Sequence, residues 1–182
     1  MDETSPWKIK SSAVKYSNPW IKVIEDKVIT PTGGDGIYAY VSTRDSVIIV
    51  ALNDKQEMCL VRGFNYPSQS WAWHLPGGGG DNEDHVEASK RELEEETGIK
   101  AKSWDKLGVI KVCNGLMDEN MAICLARDIS FDGDKEVSDE KIDALKFVSL
   151  SEFDSMIESG ETGDCQSIAA IYLLRKWLNQ HS

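Results

Sequence analysis

Residues 77–99 read GGGGDNEDHVEASKRELEEETGI, and the rest of the chain is best understood outward from them. Four glycines form a loop whose backbone can come close to a ligand, since glycine tolerates φ > 0. Asp81 or Asn82 is expected to cap the helix that follows, with acidic Glu83 and Asp84 suiting its positive end. Val86, Ala88 and Leu93 give that helix an apolar side, and Gly98 stops it. Glu92, Glu95 and Glu96 stand three and four apart, so the pattern puts all three carboxylates on one face. Such a cluster repels itself unless a cation neutralises it. Oxygen ligands with no His or Cys among them favour Mg²⁺, with Mn²⁺ as a substitute. Carboxylate-held Mg²⁺ keeps sites for water and substrate phosphate, so diphosphate chemistry is expected. Taken alone, RELEEE reads as a solvated charged face. The phased glycine loop, Arg91 and the terminal Gly98 turn the reading toward a site.

On the N-terminal side, residues 20–30 (WIKVIEDKVIT) alternate as a strand. A turn at Gly33, Gly34 and Gly36 leads into a second strand, IYAYV. Residues 46–52 (SVIIVAL) are continuously apolar, the pattern of a strand buried on both faces. Residues 53–56 turn, and residues 57–62 return, which predicts a hairpin. SWAWHLP is a short strand feeding the glycine loop. Beyond the helix, strands are expected at 104–112, 121–127 and 145–148. Residues 128–140 read as an acidic loop, and helices are expected at 151–158 and 164–178. The last is phased on Ile168, Ile171, Tyr172, Leu174, Arg175 and Leu178. Strands first, one central helix and helices at the end predict an α/β sandwich with helices on a mixed sheet.

At 182 residues with 41% hydrophobic content, the chain can bury a core as one domain with an N-terminal extension. A net charge of −11 argues against nucleic-acid partners, whose phosphates it would repel. A bound cation reverses that sign locally, so a small phosphorylated ligand is compatible. Cys59, Cys113, Cys124 and Cys165 form no CxxC pair, and three of them fall in or beside predicted strands. Reduced buried thiols are the expectation, not zinc. No long apolar run or leader-like N-terminus is present, so no membrane partner and a cytoplasmic location are expected.

The central stretch also resembles the Nudix box, G-x5-E-x7-R-E-U-x-E-E-x-G-U with U apolar. Gly77, Glu83, Arg91, Glu92, Leu93, Glu95, Glu96, Gly98 and Ile99 fill all nine specified positions without a gap. The resemblance implies a Nudix-type α/β/α sandwich with a mixed sheet, a catalytic loop-helix and a divalent metal. It implies Glu92, Glu95, Glu96 and Gly77 as metal-binding residues, with Glu95 catalytic as well. It also implies that Arg91 orients the carboxylates and that Glu83 holds Arg91.

Outside the box, NPWIKVIEDKVITPTGG, CLVRGFNYP, GLMDEN and SGETGDCQSIAAIYLL are similar to the ADP-ribose pyrophosphatase and nucleoside-diphosphate-sugar branch. The resemblance divides the chain into an N-terminal strand extension, residues 1–42, exchanged across a homodimer, and a Nudix hydrolase domain, residues 43–182. It implies Mg²⁺-dependent hydrolysis of nucleotide sugars, ADP-ribose or GDP-mannose among them, to nucleoside monophosphate and sugar phosphate. Two departures from the branch pattern, Asn114 in place of a proline and Gly63 with Asn65 in place of a glutamine and an arginine, widen the substrate choice beyond ADP-ribose.

Arg62, at a strand end, is a candidate partner for the diphosphate, with a surface ion pair as the alternative. Trp20 or Tyr16 is a candidate for stacking on the base, against core or dimer packing. His74 can contact phosphate or be structural. The general base is expected from the late acidic loop, Glu140 first and Glu136 second. Two other functions use the same features: hydrolysis of triphosphates or dinucleoside polyphosphates, and non-catalytic sensing of a nucleotide sugar.

Overall fold

The computed structural model describes residues 4–81, 83–131 and 142–181. By internal contacts the chain forms two compact units. One runs to Arg44 and includes Lys111–Asn120; the other comprises Asp45–Ile110 and the chain from Met121 onward.

The first unit is an antiparallel sheet, β1 (Lys8–Ser17), β2 (Ile21–Ile29) and β3 (Asp35–Thr43), in the order β1-β2-β3. Its second turn closes on Gly33 at φ 90°, a left-handed conformation that glycine adopts without strain. β1 was not legible as a strand from alternation, because all ten of its residues are exposed and no buried face imposes a pattern. Segment 111–120 is fastened to β3. The Val41 amide donates to the Leu116 carbonyl at 2.8 Å, and the Thr43 amide donates to Asp118 Oδ1 at 3.1 Å.

Among the described residues the second unit holds two sheets and three helices. β4 (Ser46–Ala51), β7 (Gly77–Gly79), β8 (Ile99–Lys111) and β9 (Asn120–Phe131) form one sheet in the order β7-β4-β9-β8. β4 runs parallel to β9 and antiparallel to β7, so this sheet is mixed. β5 (Met58–Asn65), β6 (Ser70–His74) and β10 (Ile142–Val148) form the other, ordered β10-β5-β6. The helices are α1 (His85–Thr97), α2 (Leu150–Ser159) and α3 (Cys165–His181).

β4 is the centre of the layers. Val47, Ile49 and Ala51 share a core cluster with Ala88 and Leu93 of α1. The alternate residues Ile48 and Val50 therefore point to the opposite face, and α3 also packs on β4. Continuous apolarity is what a strand covered on both sides requires, as residues 46–52 predicted.

Four expectations need correction. β4 and β5 do not form a hairpin: only a Leu52–Met58 bridge joins them, and the chain then passes from one sheet into the other. The turn chemistry was readable, but the pairing was decided by what each strand could bury. Residues 128–131, assigned to a loop, continue β9. The buried face of α3 is Ser167, Ala170, Ile171 and Leu174, while Ile168 and Tyr172 are exposed. Cys59 and Cys124 are buried, but Cys113 and Cys165 are exposed; all four thiols are free.

Candidate active site

The glycine run is strand and turn rather than free loop, and neighbours leave no room for a Cβ at Gly77, Gly78 and Gly80. A side chain on Gly77 would overlap the Val47 carbonyl, and one on Gly78 would overlap the Glu92 carboxylate. The Gly80 amide donates to the Asp45 carbonyl at 2.8 Å. α1 begins at neither expected cap. Asp81 sits in a turn at φ 43°, Asn82 lies outside the described residues, and Asp84 caps the helix by accepting from the Val86 amide at 2.9 Å. At the other end Gly98 adopts φ 71° and its amide donates to the Glu94 carbonyl.

Glu96 is buried, and its Oε2 accepts from the Gly77 amide at 2.8 Å. Glu92 is mostly buried against the Gly78 backbone, whereas Glu95 is half exposed. The three do not converge as the helical spacing implied. Arg91 ties two of them to one nitrogen: its Nη1 donates to Glu92 Oε1 at 2.7 Å and to Glu95 Oε2 at 3.2 Å. Its Nη2 donates to the Gly79 carbonyl at 2.9 Å, and its Nε to Glu83 Oε2 at 3.4 Å. Among the described residues no three acidic, His or Cys side chains are grouped closely enough to hold a metal. Glu92 and Glu96 both meet the glycine strand from α1, and this pair of carboxylates fits a hard divalent cation; Glu95 stands apart on the Arg91 side.

Electrostatics follow from that packing. Burial works to lower the Arg91 pKa, but the hydrogen bond and charge of Glu92, with Glu83 and Glu95, outweigh it and raise it. Burial first, and the Glu96 charge second, push the Cys59 thiol up to about 12. Cys59 is therefore a packing residue beneath the site, not a nucleophile.

Gly77, Gly78 and Glu96 form one side of a cleft of about 850 Å³ within the second unit. Asn65 and His74 line it from the β5–β6 sheet, and Gln166 from the start of α3. Sequence reading named Asn65 only as a departure from the branch pattern and passed over Gln166. Residues 63 and 65 share a strand face with 72 and 74, a relation set by the β5–β6 register, and Gln166 has no local signal at all.

Arg62 points away from the cleft, because strand alternation puts it on the face opposite Gly63. There Nη1 pairs with Asp143 Oδ2 at 2.8 Å and the guanidinium lies over Trp71, the surface-pair alternative. Trp20 and Tyr16 belong to the N-terminal unit and are exposed, 75% and 55%. Glu136 and Glu140 lie outside the described residues.

Residues 42–169 match the NUDIX domain, and residues 7–41 match the nucleoside diphosphate sugar hydrolase N-terminal domain. An ADP-ribose pyrophosphatase of Bacillus subtilis is 26% identical over 162 residues, covering 88% of each chain. An ADP-ribose pyrophosphatase of Mycobacterium tuberculosis is 27% identical over 165 residues, covering 88% of this chain and 79% of that one. A crystal structure described as an ADP compounds hydrolase superposes with a TM-score of 0.85 at 20% identity, covering 97% of this chain and 96% of the other. That likeness speaks for the fold: a mixed α/β architecture of the Nudix kind.

Proposed function

This chain belongs to the Nudix hydrolase family, whose domain its residues 42–169 match, and from that premise we propose that it hydrolyses the diphosphate bond of nucleoside diphosphate sugars. The substrates are ADP-ribose, GDP-mannose or related compounds, the products nucleoside monophosphate and sugar phosphate, and the metal Mg²⁺. The observation that carries the reading is the pair of carboxylates, Glu92 and Glu96, seated against a glycine strand that edges a substrate-sized cleft. The match of residues 7–41 to the nucleoside diphosphate sugar hydrolase N-terminal domain supports the nucleotide-sugar class.

Members of the family generally use divalent cations; one held by Glu92 and Glu96 would polarise the phosphoryl oxygens and lower the pKa of the attacking water. The protein's own contribution is positioning. Arg91 holds Glu92 and Glu95 on one side and the Gly79 carbonyl on the other, so α1 and the glycine strand stay in fixed register. Glu96 adds a second tie through the Gly77 amide. Glu83 braces Arg91. We assign the general base to Glu140, and dimerisation and nucleobase stacking to the N-terminal sheet that carries Trp20 and Tyr16.

Phosphate-product analysis with Mg²⁺ against ADP-ribose, ADP-glucose, GDP-mannose, UDP-glucose, a dinucleoside polyphosphate and a triphosphate tests the proposal. Release of nucleoside monophosphate with sugar phosphate supports it. Turnover confined to the triphosphate or polyphosphate would replace it with the second enzymatic function.

A further inference from the structure

The β5–β6 side of the cleft ends in a short turn. Asn65, the last residue of β5, and Tyr66, the first of the turn, both line the cleft. The turn is held by its own contacts. The Ser68 amide donates to Asn65 Oδ1 at 3.3 Å, and Ser68 Oγ donates to the Asn65 carbonyl at 3.5 Å. The Gln69 amide and Gln69 Nε2 both donate to the Tyr66 carbonyl, at 3.3 and 2.6 Å. Gln69 adopts φ 52°, a conformation costly for a residue other than glycine, and those two bonds maintain it.

Two groups are left open to a ligand. The Asn65 amide atom facing the Ser68 N–H must be its oxygen, so the other is Nδ2, and no described residue accepts from it. Tyr66 is 77% exposed, which leaves its ring uncovered. His74 adds no open hydrogen-bonding atom to this side. Its Nδ1 lies 2.9 Å from the Leu75 carbonyl oxygen, and its Nε2 is closed off by the Gly63 backbone, where a Cβ would come within 2.7 Å. None of the described residues lining the cleft is Lys or Arg. A ring and a neutral donor without a cation suit an uncharged group that has an apolar face and acceptor oxygens.

We propose that the Asn65–Gln69 turn recognises the sugar joined to the nucleoside diphosphate: the Tyr66 ring packs on a C–H face of that sugar, and Asn65 Nδ2 donates to one of its hydroxyl oxygens. A sugar ring carries both features and no charge. This assignment rests on the nucleotide-sugar function proposed above and on giving the base to the N-terminal sheet. Both contacts are specific to the sugar, so another substituent on the diphosphate lacks them.

The test compares the best nucleotide sugar of the panel above with an alkyl ester of the same nucleoside diphosphate, which carries no sugar on its far phosphate. The ester is read as a substrate or as a competitive inhibitor. Tyr66→Ala removes an exposed ring, so circular dichroism should match wild type. Its kcat/KM for the nucleotide sugar should fall by about 5- to 10-fold, mostly through KM, while the ester's constant changes by less than about 2-fold. Tyr66→Phe should restore most of the loss. Asn65→Ser keeps an oxygen for the Ser68 amide but has no amide donor, and it should lose about 5- to 10-fold on the nucleotide sugar alone. Equal losses on sugar and ester would overturn the proposal and give the turn to the nucleoside, the diphosphate or packing. No loss in either variant would overturn it too, leaving the nucleotide-sugar function standing. A wild-type enzyme that turns over no nucleotide sugar, while cleaving triphosphates, would overturn both.

Discussion

The buried Glu96 carboxylate and the Gly77 amide are joined by a 2.8 Å hydrogen bond that ties helix α1 to strand β7. On the proposed function one side chain would then serve two purposes, fixing the helix against the glycine strand and presenting a second oxygen for a cation. Glu96→Gln separates the two. An amide oxygen still accepts from Gly77, so far-UV circular dichroism and the unfolding midpoint should stay close to wild type. Charge toward a metal is lost, and turnover of the best nucleotide sugar should drop by about 100-fold or more. Retained turnover would remove Glu96 from the metal site.

Neighbouring glycines should respond unequally to the same methyl group. A Cβ on Gly78 meets the Glu92 carboxylate, whereas one on Gly79 has nothing nearer than Asp81 Oδ1 at 3.7 Å. Gly78→Ala should displace Glu92 and lower kcat by about 10- to 100-fold, because a shift of about 1 Å is enough for that loss. Gly79→Ala should keep activity within about 2-fold and stability within about 0.5 kcal/mol. Steady-state kinetics of the pair checks this, and equal behaviour would mean that Glu92 does not depend on the glycine strand.

Thiol chemistry should split the cysteines by burial. Cys113 and Cys165 are exposed and should react with a disulfide reagent in the native protein, while Cys59 and Cys124 should react only on unfolding. Burial raises both buried thiols, Cys59 from its ordinary 9.0 to about 12. The native state thus keeps a proton that the unfolded chain releases above about pH 9. The Cys59 contribution to stability is complete below that pH and declines as pH rises toward about 12. Denaturant midpoints at pH 8 and pH 10 should show the decline, and Cys59→Ala should reduce it.

The N-terminal sheet should carry the dimer. Ile9 and Val14 of β1 pair with Val28 and Ile24, so they share one sheet face, yet they are 67% and 58% exposed. Exposed apolar residues along an edge strand favour pairing with another chain. Light scattering should give twice the chain mass for wild type, and a double substitution Ile9→Lys, Val14→Lys should shift it toward monomer. A wild-type monomer at micromolar concentration would end the dimer proposal.

Much of the site was legible along the chain because it is local. Gly77 through Ile99 is one continuous strand, turn and helix, so spacing alone set which carboxylates share a helix and which glycine ends it. Continuous apolarity likewise marked β4 as a strand covered on both faces. Charge, however, was placed by contacts that spacing does not contain. Arg91 Nη1 holds Glu92 and Glu95, the Gly77 amide holds Glu96, and Glu92 meets the same strand at Gly78. The helical repeat could not say which partner each carboxylate would take.

What the sequence determined by itself was most of the order of elements and the box, since each depends on residues within a few turns of one another. Only the tertiary structure decided that β5 leaves β4 for another sheet, that Arg62 faces away from the cleft, and that His74 lies over Gly63 within it. Those outcomes depend on strand register and on which faces can be buried together. Register relates residues by pairing across space, and no local pattern of residue types encodes that.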